Sequence, residues 1–82
     1  MPRVVAIGSA ARAFTGGAAT IEVEAGTVGQ MIAALEARYP GFGEHIERRM
    51  AIAIDGEIHQ DAHGAPLGPD SEVYLFPRIG GG

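Results

Sequence analysis

The stretch TVGQMIAALEARYPG, residues 27–41, carries the most complete secondary-structure signal in the chain. Thr27 and Gln30 have the spacing of a capping box, in which each side chain satisfies a backbone N–H of the other residue. Pro40 and Gly41 end the helix, because proline disfavours α geometry in the residue before it. The residues between these signals form one apolar helical face: Val28, Met31, Ile32, Leu35 and Tyr39. The stretch therefore predicts an amphipathic helix that begins at Thr27.

Two strands are predicted before this helix. Residues 3–9 (RVVAIGS) are rich in β-branched side chains, and residues 20–24 (TIEVE) alternate apolar and polar residues as half-buried strands do. Thr15, Gly16 and Gly17 mark a turn between them. We therefore expect a β-hairpin whose connection, at about ten residues, is longer than the usual two to five.

The pattern after the helix is less regular. Residues 42–49 (FGEHIERR) predict a short helical turn or an ordered loop, since glycine interrupts them. Residues 50–55 (MAIAID) predict a strand that ends in the turn signal Asp55-Gly56. A short edge strand is expected near 57–60.

The last predicted strand, residues 71–79 (SEVYLFPRI), follows a loop rich in glycine and proline. Its apolar middle suits a central position in a sheet. The whole order is an α+β arrangement with one main helix across one face of a mixed sheet of four to five strands. A ubiquitin-like β-grasp satisfies this order, whereas a ferredoxin-like fold needs a second full helix. We predict a β-grasp domain over residues 1–79 and a glycine tail outside the core over residues 80–82.

Composition excludes several function classes. Eighty-two residues form one domain, and a net charge of −4 with scattered arginines argues against a nucleic-acid surface. The chain has no cysteine, which excludes a disulfide, a thiolate nucleophile and a zinc site built on sulfur. No apolar run approaches the ~20 residues of a membrane span, and the N-terminus lacks a signal-peptide core. We therefore expect a cytoplasmic protein.

Three glycines, Gly80, Gly81 and Gly82, follow the last predicted strand. They have no side chains, so they can enter a channel too narrow for other residues. At ~3.3 Å per extended residue they reach ~10 Å, far enough to place a terminal carboxylate inside a partner's active site. A carboxylate is a poor electrophile and would need adenylation by ATP, but this chain has no phosphate-binding loop. The activating machinery therefore belongs to a partner, and a sulfur donor that displaced AMP would leave a thiocarboxylate.

The ending LGPDSEVYLFPRIGGG, residues 67–82, resembles the C-terminal signature of the MoaD/ThiS family of ubiquitin-like sulfur carriers. In that family a strand of the pattern D-x-V-x-h-x-P leads into a terminal glycine pair. The segment FTGG at 14–17, the helix at 27–41 and the strand MAIAIDG at 50–56 fall in matching order. The resemblance therefore covers essentially the whole chain.

The resemblance implies a carrier that is a substrate and not a catalyst. Gly82 would be adenylated and thiocarboxylated, with Gly80 and Gly81 in the partner's active site. The implied partners are a ubiquitin-activating-type adenylating enzyme that uses ATP, a sulfur-donor protein and a downstream sulfur-accepting enzyme, with no cofactor bound permanently. Arg78 stands where the small subunit of molybdopterin synthase usually has a second proline. That departure and the third glycine leave the pathway open among molybdopterin, thiamine, cysteine-type and specialised systems.

Alternation along the last strand predicts a docking face. If Val73 and Leu75 face the helix, the aromatic residues Tyr74 and Phe76 lie on the open face of the sheet. Aromatic anchors are enriched at interfaces, and the resembling family uses this face for its partner enzymes. The alternative is that these aromatic side chains only shield the sheet. The predicted docking residues are Tyr74, Phe76, Arg78 and Ile79.

Two polar groupings are assigned no function. His59 and His63 have the spacing of helical metal ligands, but they fall on a predicted strand and turn, with only Asp61 between them as a third ligand. The second grouping is a polar turn with no nucleophile near it in sequence. Its members are Glu44, His45 and Glu47.

Two other classes of function fit the sequence. One is a ubiquitin-like modifier that is conjugated through Gly82 to lysines of target proteins. The chain has no lysine, which forbids lysine-linked chains on itself but not single modification of others. The other is a non-conjugated ubiquitin-like binding module, which would keep its function after deletion of Gly81 and Gly82.

Overall fold

The computed structural model of this chain describes residues 1–59 and 62–78. Their elements are, in chain order, β1 (Arg3–Ala6), α1 (Ser9–Phe14), β2 (Thr20–Glu22), α2 (Val28–Arg38), α3 (Phe42–Arg49), β3 (Met50–Ile54), β4 (Glu57–His59), a 3-10 turn (Ala62–Gly64) and β5 (Glu72–Pro77). Among these residues the strands form one five-stranded sheet in the order β2-β1-β5-β3-β4. β5 is central, parallel to β1 and antiparallel to β3.

This topology is the predicted ubiquitin-like β-grasp. A hairpin of β1 and β2 leads into α2, and the chain returns to place β5 beside β1 in parallel. The central position of β5 and the edge position of β4 are both confirmed. β1, β2, β3 and β5 are shorter than predicted, and β1 ends at Ala6 because Gly8, with φ 104°, turns the backbone into a helix.

The core lies between α2 and one face of the sheet. The apolar face of α2 is buried as predicted at Val28, Met31, Ile32 and Leu35, while Tyr39 packs against the core from its edge. Full burial of a side chain of this size contributes about 1.5–3 kcal/mol. The sheet supplies the opposing side chains, among them Val4, Ala6, Ile21, Ile54, Val73 and Leu75.

The start of α2 has both capping hydrogen bonds, but one goes to a different donor than expected. The Thr27 hydroxyl oxygen accepts from the Gln30 backbone N–H at 3.2 Å, as in a capping box. The Gln30 side-chain oxygen accepts from the backbone N–H of Gly26 at 2.8 Å, one residue before the predicted donor. The helix ends at Arg38, before Pro40, as predicted.

The long connection predicted between β1 and β2 contains a helix that the sequence analysis did not predict, α1. Thr15 closes this helix as a buried polar residue, and its hydroxyl donates to the Ala18 carbonyl at 2.7 Å and lies 3.2 Å from the Arg12 carbonyl. Gly16 and Gly17 then adopt positive φ and make the predicted turn. The connection is long because it holds a helix that packs on α3 through Phe14, whose ring stacks on Phe42 at 5.4 Å.

Residues 42–49 form a full helix, α3, where the sequence predicted a turn or a loop. Its one glycine, Gly43, permits a close contact with α2 and does not interrupt the helix. A Cβ on Gly43 would lie 2.9 Å from a Glu36 carboxylate oxygen, so only glycine allows α2 and α3 to approach this closely. Gly41 precedes the helix in the left-handed conformation, at φ 93°.

Candidate functional site

The side chains of β5 divide between the two faces of the sheet as the alternation predicted. Val73 and Leu75 are completely buried against the helices. Tyr74 lies on the opposite face and is 37% exposed, and Phe76 beside it is partly exposed. The two predicted aromatic docking residues therefore lie together on the open face of the sheet.

Neighbouring strands extend these aromatic side chains into a larger apolar surface. Ala53 pairs with Tyr74 across β3 and β5, and Ile58 pairs with Ala53 across β3 and β4. Ile58 is 68% exposed and Ile7 is 38% exposed. A shallow depression is lined by all of these side chains, and we call it the open-face patch: Ile7, Ala53, Ile58, Tyr74 and Phe76.

Sequence reasoning missed Ile7 and Ile58. The signal for Ile58 was present, since alternation in the short β4 puts it on the face opposite its two polar neighbours Glu57 and His59. Ile7 lies just after β1, and its N–H donates to the Leu75 carbonyl at 2.8 Å. Its place in the patch depends on the parallel pairing of β1 with β5, two strands that are distant in sequence.

Carboxylates border one end of the open-face patch. Asp55 and Glu72 line the same depression, and Glu57 is exposed at the start of β4. An oxygen of Asp55 accepts from the Glu72 N–H at 2.9 Å, and Arg3 lies 3.5 Å from the Glu72 carboxylate. The open-face patch is therefore apolar in its centre and bordered by carboxylates at the end where β5 begins.

At the opposite end of β5 the chain leaves the sheet through Arg78. The Arg78 guanidinium donates from Nε to the Met50 carbonyl and from Nη2 to the Glu47 carbonyl, each at 3.0 Å. Its backbone N–H donates to the Arg49 carbonyl at 3.0 Å. Arg78 thus faces the junction of α3 and β3, and its predicted contact with a partner stays a prediction.

The remaining predicted site residues lie outside the described part of the chain. These are Ile79 and the glycines Gly80, Gly81 and Gly82. What the structure defines is the point from which they extend, namely the end of the central strand and the position of Arg78 beside α3.

The two polar groupings that were assigned no function contact each other through one pair of side chains. His63 pairs with Glu47 at 2.6 Å, which links the 3-10 turn to α3. The His45 ring packs against Phe14 at a centroid distance of 5.1 Å. Within residues 1–59 and 62–78, no three His, Cys, Asp or Glu side chains are placed to hold a metal ion, and Asp61 falls outside those ranges.

In the same described ranges, no helix has the length and apolar character needed to cross a bilayer.

A β-grasp domain with an apolar open face, continued beyond its central strand by glycines, defines a protein of the ubiquitin-like class. The model of the ThiS family matches residues 7–82 of the chain. Because that match covers nearly all of the sequence, the protein belongs to the ThiS family, and the resemblance to MoaD/ThiS carriers is confirmed. A search of curated protein sequences found no significant match.

Three solved structures share the fold. CysO of Mycobacterium tuberculosis, described as an antigen, has a TM-score of 0.85 and 22% identity, covering 96% of this chain and 100% of that chain. A chain of the Amycolatopsis orientalis BexX/CysO complex has a TM-score of 0.84 and 21% identity, covering 100% of both chains. SAMP1 of Haloferax volcanii has a TM-score of 0.74 and 20% identity, covering 99% of this chain and 98% of that chain. At these identities the likeness establishes the fold, and family membership supports a ubiquitin-like sulfur carrier.

Proposed function

We propose that this protein is a sulfur carrier whose C-terminal carboxylate, on Gly82, cycles between a carboxylate and a thiocarboxylate. The observation that carries the proposal is the extent of the family match, which includes the terminal glycines as well as the folded domain. The position of β5 supports it, because the central strand of the sheet ends at Pro77, which only two residues separate from those glycines in the sequence. The chain itself would be a substrate and not a catalyst.

The proposed activation proceeds in two displacements. The Gly82 carboxylate attacks the α-phosphorus of ATP, forms an acyl adenylate and releases pyrophosphate. Hydrosulfide or an equivalent sulfur donor then attacks the acyl carbon and expels AMP, which leaves a thiocarboxylate and one released proton. ATP, metal and phosphate-binding groups would come from an adenylating partner, since charge on the phosphates needs neutralisation that this acidic chain does not offer.

The open-face patch is the proposed docking surface for that partner. Tyr74 and Phe76 provide aromatic contact area, and Ile58 adds the most exposed apolar side chain of the patch. The acidic side at Asp55 and Glu72 favours a partner surface with an apolar centre and basic groups at the matching edge. The fold shared with a chain from the BexX/CysO complex further supports recognition by another protein.

The test is the intact mass of the protein purified from its own host without alkylation and under conditions that preserve sulfur. A species heavier by the exchange of one oxygen for one sulfur supports the carrier function. A Gly82-deleted variant serves as the control and should lack that species. If only the carboxylate is found, even after incubation with the host's adenylating enzyme, ATP and sulfide, the proposal is wrong.

A second arm examines entry of the glycines into the partner. Gly81→Val adds a branched side chain where the proposal requires a narrow channel, so adenylation should be strongly impaired. The matched control is Gly64→Val, because a Cβ at Gly64 meets no atom of residues 1–59 and 62–78 within 4 Å. Equal adenylation rates for the wild type and Gly81→Val would contradict the channel.

A further inference from the structure

The base of the C-terminal segment is fixed on one side by Arg78. One residue supplies three donors to carbonyls within the short stretch 47–50, two of which belong to the last turn of α3. Carbonyls of a last helical turn have no partner inside the helix, and they carry the negative end of the helix dipole. A guanidinium suits this position because it is a permanent cation with donors in a fixed planar fork.

The third acceptor shows how far the side chain of Arg78 reaches. That acceptor is the carbonyl of Met50, the first residue of β3, two residues before the β3–β4 pairs that run from Ile52 to Ile54 in the described ranges. Arg78 Nε donates to this carbonyl at the start of β3, and Nη2 donates to the Glu47 carbonyl in the last turn of α3. The side chain therefore joins the end of α3 to the start of β3 and holds the exit of β5 against both.

Pro77 fixes the other side of the same point. Its ring lies against Gly8 at the end of β1, where a Cβ would lie 3.1 Å from Pro77 Cγ. Gly8 also has φ 104°, so the backbone there depends on glycine in conformation as well as in space. The proline ring itself fixes φ near −65°. Pro77 and Arg78 are thus held from the β1 side and from the α3 side.

We propose that Arg78 is a positioning residue, which fixes the point and direction from which the C-terminal glycines extend into a partner's active site. This inference rests on the proposed carrier function and deepens it. Holding a reacting group in the productive direction reduces the entropy lost in the transition state, and small misplacements cost large factors in rate. The open-face patch would then bind the partner, while the Arg78 contacts would orient the C-terminal carboxylate toward the partner's active site.

The first experiment tests the contacts in the isolated protein by NMR. Proton exchange of the Arg78 Nε–H should be at least about 10-fold slower than that of the Arg49 Nε–H, because a hydrogen-bonded donor exchanges only after opening. Arg49 is the matched control, since it is the adjacent exposed arginine at the end of α3. Equal exchange at the two side chains overturns the inference without bearing on the carrier function.

The second experiment measures ATP–pyrophosphate exchange with the host's adenylating enzyme. Arg78→Met keeps length but removes the donors, and we expect kcat to fall roughly 10-fold with KM unchanged. Arg78→Lys keeps the charge without the planar fork, so the loss of kcat should persist. Arg49→Met makes the same change of charge at the residue whose backbone carbonyl accepts from the Arg78 N–H. This control variant should behave as the wild type.

Two outcomes of this assay contradict positioning by Arg78. A loss confined to KM and restored by Arg78→Lys means that Arg78 contacts the partner as a simple charge. Equal kcat for Arg78→Met and Arg49→Met means that the direction of exit is set elsewhere. If the wild type itself is not adenylated, the proposed function fails, and this inference fails with it whatever the exchange rate of Arg78 Nε–H.

Discussion

The helices α2 and α3 are neighbours in sequence and pack against each other, but they are stabilised in opposite ways. α2 carries its own signals: Thr27 caps it at 3.2 Å, and its apolar face repeats at helical spacing. α3 is held at both ends by side chains from other elements. Glu36 of α2 accepts from the N–H groups of Gly41 and Gly43 at 2.8 and 2.9 Å. Arg78, beyond β5, donates to carbonyls of its last turn.

The difference lies at the N-terminus of each helix, since Thr27 caps α2 with its side chain, whereas the N-cap of α3 is Gly41, which has no side chain to offer. An isolated helix of eight residues is too short to be stable in water, whatever its composition. A carboxylate at its N-terminus and a guanidinium at its C-terminus satisfy orphan backbone groups and complement the helix dipole. α3 therefore depends on contacts with α2 and with the end of β5 for its stability.

The largest expected effect breaks the core under α2. Leu35 is completely buried, so Leu35→Ala should lower the free energy of unfolding by about 2–5 kcal/mol. Urea unfolding followed by circular dichroism measures this loss. Ala37→Ser, on the exposed side of the same helix, should change the free energy by less than about 0.5 kcal/mol. Near-neutral stability of Leu35→Ala would mean that the buried face of α2 is misassigned.

A smaller effect is expected where α2 supports α3. Glu36→Ala removes both capping acceptors and should cost about 2 kcal/mol, the scale of charge-assisted hydrogen bonds that are partly exposed. Glu36→Gln should retain part of this stabilisation, since its amide oxygen can still accept a hydrogen bond from a backbone N–H. Amide exchange should accelerate at Ile46 in α3 more than at Leu35 in α2.

The matched control for Glu36 is Glu24→Ala, at an exposed position outside the helices. Uniform acceleration of exchange across both helices would contradict the separate dependence of α3 on this carboxylate.

The local cap of α2 should matter less. Thr27→Ala removes the hydroxyl that accepts from Gln30 and should cost about 1 kcal/mol. Thr27→Ser keeps the acceptor and should restore most of the stability. The same urea series measures both variants. A loss for Thr27→Ala as large as that for Leu35→Ala would mean that packing, and not capping, depends on this side chain.

The smallest expected effect on stability comes from deletion of Gly82. Core residues in the described part of the chain end at Leu75, so removal of Gly82 should change the free energy of unfolding by less than about 0.5 kcal/mol. The same deletion should abolish formation of the thiocarboxylate. A melting temperature that fell with the loss of activity would show that the glycines belong to the folded domain.

Part of the candidate site was predictable from the sequence because it follows the two-residue period of a strand. Tyr74 and Phe76 had to share a face once Val73 and Leu75 were assigned to the core. The same two-residue period predicted that Arg78 lies on the open face with Tyr74 and Phe76. Because β5 ends at Pro77, strand alternation no longer determines where the Arg78 side chain points. There the direction of the side chain is set by the carbonyls within its reach.

The sequence by itself determined the features that depend on near neighbours: the limits and buried face of α2, the turns at Gly16 and Asp55, and the central character of β5. Tertiary structure decided the rest. α1 and α3 are too short to be specified by their own residues. From the sequence alone, Gly41 and Gly43 predict the end of a helix, and only the tertiary contact with Glu36 shows that a second helix begins there. The open-face patch and the contacts of Arg78 join residues distant in sequence. Which groups meet there depends on strand pairing, which local propensity does not determine.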